Sequence, residues 1–198
     1  MKIAITGGNS GLGLELSRIW KKHGHTVVNF SRSNGHNIDN VDSIVDAVKD
    51  FDIFINNAYS GFAQVDILYK LFQIWQNNQD KFIINVSTEQ TNRWLQNKNN
   101  ETTALPWKHS QRSFNYRTSK VALEDAQLFL SQQSDSPKMM MLKPAIMDTP
   151  RNQGFIPTDN DTRCKSDPVK VAQFVYDLWN NRKDFYVTEV ALRPLEWY

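Results

Sequence analysis

Residues 3–5, Ile-Ala-Ile, run without a break into TGGNSGLGLE at residues 6–15, a stretch with four glycines in seven positions. An apolar run that short reads as a buried strand. Leu12, Leu16, Ile19 and Trp20 then recur at spacings of three and four, the period of a helix. Glycines between the two allow a tight turn and let the backbone approach whatever lies against it. A strand, a glycine loop and a helix in this order commit a chain to an open sheet with crossover helices.

The rest of the sequence keeps that alternation. Ile/Val-rich strands are expected at residues 2–6, 25–31, 53–56, 81–87, 138–144 and 185–191. Their near-continuous apolarity suits a parallel sheet covered on both faces. Between them Val41-Ile44-Val45-Val48, Ile67-Leu71-Ile74-Trp75, Val121-Leu128-Phe129 and Val171-Phe174-Val175-Leu178 follow helical spacing. Asp167-Pro168 reads as an N-cap followed by the proline of a first helical turn. The fold class is therefore α/β: a Rossmann-like, doubly wound parallel sheet flanked by helices in three layers. With 198 residues, one domain over residues 1–198 is expected.

Composition narrows the function. A net charge of +2, with no basic run longer than Lys21-Lys22, gives no groove for nucleic acid and no patch for a membrane surface. No apolar run reaches the roughly 20 residues needed to cross a bilayer. The lone cysteine, Cys164, leaves no internal disulfide, and the glycine loop follows too soon after Met1 for a secretory leader, so a cytoplasmic setting is expected. Histidines 23, 25, 36 and 109 have no metal-ligand spacing and are expected at the surface; no metal is expected. The tryptophans at 20, 75 and 179 fall on helical periods as core or subunit contacts.

Gly7, Gly11 and Gly13 form GxxxGxG between a strand and a helix. Such a loop lets a pyrophosphate approach the unpaired N–H groups of a helix N-terminus, and a turn with no ligand is the weaker reading. The end of the second strand adds to this, although Arg32 by itself reads as well as a solvated surface residue. That end reads Asn29-Phe30-Ser31-Arg32-Ser33, without the acid that grips an NAD ribose, and Ser31 and Arg32 offer a hydroxyl and a charged fork to a 2′-phosphate. NADP(H) is expected in preference to NAD(H).

Read along the chain, these segments resemble the short-chain dehydrogenase/reductase family over nearly their full length. TGGNSGLG matches the family's TGxxxGxG loop, Asn37-Ile38-Asp39 resembles the stretch whose aspartate contacts adenine, and Asn56-Asn57-Ala58 matches its NNAG segment. Asn85-Val86-Ser87-Thr88 is similar to the strand end that carries the catalytic hydroxyl, and Tyr116-Arg117-Thr118-Ser119-Lys120 matches YxxxK. Residues 143–150, KPAIMDTP, resemble PGxxxT, while residues 187–189 and Arg193-Pro194 look like the final strand. The resemblance implies cofactor contacts from Gly7, Asn9, Ser10, Gly11, Leu12, Gly13, Ser31, Arg32, Asp39, Asn57, Ala58, Tyr116, Lys120, Pro144, Ala145, Ile146 and Thr149. It implies catalysis by Tyr116, Lys120 and either Ser87 or Thr88, with Thr88 slightly favoured.

The chemistry asks for such residues. Moving hydride to or from a carbonyl carbon needs an acid or base at its oxygen. A free phenol, with a pKa of about 10, is ionised in only about one molecule in a thousand at neutral pH. Lys120 lies four residues beyond Tyr116, on the same face of a helix, where an ammonium favours tyrosinate. The expected activity is an NADP(H)-dependent oxidoreductase acting on a small carbonyl or alcohol. A dinucleotide-binding sensor without turnover and a nucleotide-sugar epimerase or dehydratase are the alternatives.

Three departures from the family pattern stand out. The segment between Ala58 and Lys81 is short, and the family's helical asparagine has no clear counterpart; Gln64 is the nearest amide. Tyr59 and Ala145 replace the glycines of NNAG and PG. The polar stretch 89–115 is long, reads either as a substrate flap or as a surface insert, and brings Arg93, Trp94, Trp107, Lys108, His109 and Arg112 toward the substrate side. Residues 151–165 resemble a mobile substrate lid. A homodimer or tetramer is expected, with Leu68, Leu71, Phe72, Leu128 and Phe129 serving either the interface or the sheet.

Overall fold

The computed structural model describes residues 1–89, 91, 111–150 and 165–193, leaving aside the side chains of residues 112 and 113. Six strands form one parallel sheet: β1 (Lys2–Thr6), β2 (Thr26–Phe30), β3 (Ile53–Asn56), β4 (Phe82–Val86), β5 (Lys138–Pro144) and β6 (Glu189–Leu192). Their spatial order is β2-β1-β3-β4-β5-β6, so the direction of winding reverses between β1 and β3. Among the described residues five α-helices cover the sheet: α1 (Gly11–Lys22), α2 (Val41–Val48), α3 (Ala63–Trp75), α4 (Gln111–Ser131) and α5 (Pro168–Asn180). None of them is long and apolar enough to cross a membrane.

Strand alternation sends side chains to two separate cores. Ala4, Phe54, Ile83, Met139 and Met141 point to one side, where α2, α3 and α4 bury Ile44, Ile67, Leu71, Trp75 and Leu123. Ile3, Ile5, Ile53, Ile55, Ile84 and Leu142 point to the other, against Leu16 and Trp20 of α1 and Val175 and Trp179 of α5. The expected three-layer architecture is thus present. Asp167 caps α5, its carboxylate accepting from the Val169 N–H at 2.8 Å, with Pro168 at the first helical position.

Strand boundaries differ by a residue in β2 and β4 and by more in β6, which begins at Glu189 rather than Phe185. Phe185 is exposed, so its apolarity reflected no strand. Trp20, Trp75 and Trp179 all lie in the cores. His25 corrects the surface reading of the histidines, because it is half-buried among Trp20, Tyr176 and Trp179, and His36 is half-buried against Phe30. Leu68, Leu71 and Phe72 are core residues of α3, whereas Leu128 and Phe129 on α4 are 60% and 66% exposed.

Candidate active site

Parallel strands deliver their C-terminal ends to one edge of the sheet, and a ligand crevice opens where the winding reverses. The glycine loop leaves β1 at that edge, Ser31 and Arg32 leave β2, Asn57 to Tyr59 leave β3, Ser87 and Thr88 leave β4, and Ala145 to Thr149 leave β5. The segments singled out in the sequence therefore converge because of topology.

Gly7 and Gly11 hold left-handed φ values of 70° and 52°, which a side chain would strain. Gly13 is required for a different reason: a Cβ there would meet the Gly7 carbonyl oxygen at 2.3 Å. The turn thus folds the helix start directly onto the strand end. Ser10, the N-cap of α1, makes no side-chain cap bond, and the first turn carries no acid, so its N–H groups suit an anion. Thr6 ties the neighbouring strand to the loop, its hydroxyl accepting from the N–H groups of Asn57 at 2.9 Å and Ala58 at 3.0 Å. Asn57 Nδ2 returns a bond to the Thr6 carbonyl at 3.0 Å. Thr149 is buried against Gly11.

Beside the loop, Asn9 Nδ2 donates to Ser31 Oγ at 2.7 Å and to Ser33 Oγ at 2.8 Å. Asn34 Oδ1 accepts from the Ser31 N–H at 2.8 Å and its hydroxyl at 2.9 Å, which fixes the turn that Arg32 opens. The Arg32 side chain belongs to an exposed residue, and Leu12 is buried in the core. Asp39 is exposed, its N–H donating to Asn37 Oδ1 at 3.2 Å.

Tyr116 and Lys120 share a face of α4, as their spacing requires. Lys120 is only 3% exposed, and its ammonium lies 5.6 Å from the Tyr116 ring centre and 5.7 Å from that of Tyr59. The two rings meet edge to face at 4.8 Å. Lys120 Nζ donates to Gln64 Oε1 at 2.6 Å and to the Val86 carbonyl at 2.7 Å. The tyrosine at the family's glycine position thus forms a wall against the YxxxK pair.

The two hydroxyls after β4 have different surroundings. Ser87 Oγ donates to Glu124 Oε1, the same carboxylate oxygen that accepts from Thr91 Oγ1 at 2.8 Å. Glu124 Oε2 pairs with the buried Lys143 at 2.8 Å, and Lys143 also reaches Glu189 at 3.3 Å. Thr88 is buried one residue further on, and its carbonyl accepts from Thr91 Oγ1 at 2.9 Å. Glu89, 0% exposed, pairs with Arg193 at 2.6 Å, and its N–H donates to the Pro144 carbonyl at 2.9 Å. Ala145 joins β6 through the Leu192 carbonyl at 3.0 Å, and the Ile146 carbonyl accepts from the Ser166 N–H at 2.8 Å.

Sequence reading missed the ion-pair cluster of Glu124, Lys143 and Glu189, because only the packing of α4 across β4 and β5 makes neighbours of residues so far apart. The flap residues 93, 94, 107–109 and the side chain of 112 lie outside the described residues, as do lid residues 151–164.

No family model and no curated protein matches this sequence. Solved structures do match. The NADH complex of a 3-alpha-hydroxysteroid dehydrogenase from Pseudomonas sp. B-0831 is 19% identical, covers 96% of this chain and 94% of its own, and superposes with a TM-score of 0.67. The 5-hydroxy-NADP complex of an alcohol dehydrogenase from the archaeon Thermococcus sibiricus is 16% identical over 100% of this chain and 98% of its own, at a TM-score of 0.70. A short-chain dehydrogenase from Burkholderia cenocepacia J2315 in complex with NADP is 18% identical over 96% of this chain and 88% of its own, at a TM-score of 0.67. The chain has the fold of the short-chain dehydrogenases/reductases.

Proposed function

We propose that this chain is a short-chain dehydrogenase/reductase that transfers hydride between NADP(H) and a carbonyl or alcohol. The observation that carries the reading is the buried ammonium of Lys120 beside Tyr116, at the edge where the glycine loop emerges. A dinucleotide fits the residues present: the glycine turn, the acid-free start of α1 and the polar cluster of Asn9, Ser31 and Ser33 form a continuous rim. Gly7, Asn9 to Gly13, Asn57, Ala58 and the Ala145 to Thr149 segment would hold it, with Asp39 toward the adenine. When bound, the nicotinamide supplies or accepts the hydride.

The protein's own part is the proton. In reduction the Tyr116 phenol donates it to the substrate oxygen; in oxidation tyrosinate takes it back. Lys120 favours tyrosinate by its charge and, with a dinucleotide bound, would hold the nicotinamide ribose. Thr88, at the position of the family's catalytic hydroxyl, is assigned the hydrogen bond to the substrate oxygen, and Ser87 donates to Glu124. Arg32, with the hydroxyls of Ser31 and Ser33, would receive the 2′-phosphate.

Association as a homodimer is supported by α4, where Phe114, Val121 and Leu128 recur every seven residues with Phe129 beside them, all exposed. Tyr69 and Ile74 of the adjoining α3 are exposed as well.

The deciding experiment is a panel of ketones, aldehydes and alcohols followed by NADPH absorbance. Turnover that disappears in Tyr116→Phe while NADPH binding stays within a few fold supports the reading. NADPH binding without turnover on any member favours the sensor alternative, and no dinucleotide binding at all removes both.

A further inference from the structure

Gln64 opens α3 with a side chain only 2% exposed, and its amide is spanned by bonds at both ends. Nε2 donates to the Asn56 carbonyl at 2.6 Å and to the Val86 carbonyl at 3.3 Å, while Oε1 accepts from Lys120 at 2.6 Å. Two carbonyls facing Nε2 exclude the flipped amide, so the oxygen has to face the ammonium. The Val86 carbonyl accepts from Lys120 as well, closing a ring of Lys120, Gln64 and Val86 at the end of β4.

The amide is itself anchored. Asn56 Nδ2 donates to the Gln64 main-chain carbonyl and to Asn85 Oδ1, both at 2.9 Å. Asn85 Nδ2 continues to Gln127 Oε1 at 2.9 Å, and Gln127 Nε2 to the Thr188 carbonyl at 3.2 Å. From α3 across β3 and β4 to α4, every member of this chain is an amide or a backbone carbonyl. Such a ladder fixes direction and carries no charge of its own.

We infer that Gln64 is the positioning residue for Lys120, a neutral clamp that aims the ammonium at Tyr116 without cancelling its field. The distinction from a carboxylate is physical. An acid at this position would pair with Lys120 and cut the positive potential that tyrosinate needs. Among the described residues, Glu124 pairs with Lys143 and Glu89 with Arg193, while Asp66 of α3 and Asp125 of α4 are exposed. Among the described residues, the phenols of Tyr59 and Tyr116 face Lys120 across the site. This inference rests on the roles proposed above for Tyr116 and Lys120.

The test follows the Tyr116 phenol directly, by tyrosinate absorbance against pH, with Tyr116→Phe subtracting the remaining tyrosines. Gln64→Glu, nearly isosteric, is expected to raise the Tyr116 midpoint by about one pH unit. Placed in a Lys120→Met background, the same substitution loses most of that shift if it acts through the lysine. Gln64→Asn, which withdraws the amide without adding charge, raises the midpoint by a smaller amount and serves where the acid disturbs folding. An unchanged midpoint in a variant with native circular dichroism overturns the inference, even if turnover falls, because a merely structural glutamine would do the same. The titration needs no substrate, so a silent carbonyl panel would count against the proposed activity and leave the role of Gln64 to be read separately.

Discussion

Ser87 donates its hydroxyl hydrogen bond to Glu124, the residue one helical turn beyond Lys120 on α4, and that carboxylate is in turn paired with Lys143 at 2.8 Å. The serine is thereby drawn into the joint between β4, β5 and α4, and Thr88 is buried one residue further on.

Substitution separates the two. Thr88→Val keeps the shape and removes the donor, and kcat is expected to fall by about a hundredfold, the usual cost of losing one donor at a reacting oxygen. Ser87→Ala should leave kcat within about threefold and lower stability by ~1–2 kcal/mol, since Glu124 loses a charge-assisted partner. Steady-state kinetics and urea denaturation on both variants decide it; the reverse pattern would make Ser87 the catalytic hydroxyl.

Arg32 opens the turn after β2, beside the bonded trio of Asn9, Ser31 and Ser33. If it binds a 2′-phosphate, Arg32→Ala narrows the preference for NADPH over NADH by about tenfold to a hundredfold, the range for one charged hydrogen bond. Fluorescence titration with each dinucleotide measures this. Equal affinities in the unsubstituted protein would remove the argument from the second strand.

The exposed stripe on α4 makes an association test possible without touching the core. Leu128→Glu with Phe129→Lys leaves the buried Leu123 and Leu130 in place. Sedimentation is expected to show a dimer for the parent chain and a monomer for the double variant, both with the same circular dichroism. A parent chain that sediments as a monomer at high concentration rejects the interface.

His25 gives a pH dependence far from the site. Burial, then the N-terminal ammonium, His23 and Arg182, hold its pKa below the ordinary 6.5, so the unfolded chain binds the proton more readily than the folded one. Stability from the neutral ring is complete above that unfolded value and declines as pH falls from there through the lowered folded value. The urea midpoint should therefore drop between about pH 7 and the folded pKa, and His25→Gln should flatten that part of the curve. A midpoint equally sensitive in the variant would assign the effect to other groups.

Much of this was legible locally. Strand ends and helix starts are written in short-range patterns, so the glycine turn, the Asp167-Pro168 start and the four-residue step from Tyr116 to Lys120 could be read along the chain. Phe185 shows where that fails: an aromatic beside Tyr186 and Val187 reads as strand, but no neighbouring strand bonds it, and β6 starts only at Glu189. Leu71 and Leu128 show it differently. Both sit on helical apolar periods, yet one is buried against the sheet and the other is exposed, because only the azimuth of each helix on the sheet separates the two.

By itself the sequence determined the α/β alternation, the glycine turn and the placing of Tyr116 and Lys120 on one helix face, since each depends on residues within one turn or one strand of each other. The tertiary structure decided what surrounds Lys120. Gln64, Val86 and Tyr59 come from α3, β4 and the loop after β3, and parallel pairing places all three at one end of the sheet. No spacing along the chain encodes that meeting, because it depends on strand register and helix rotation, which long-range burial fixes.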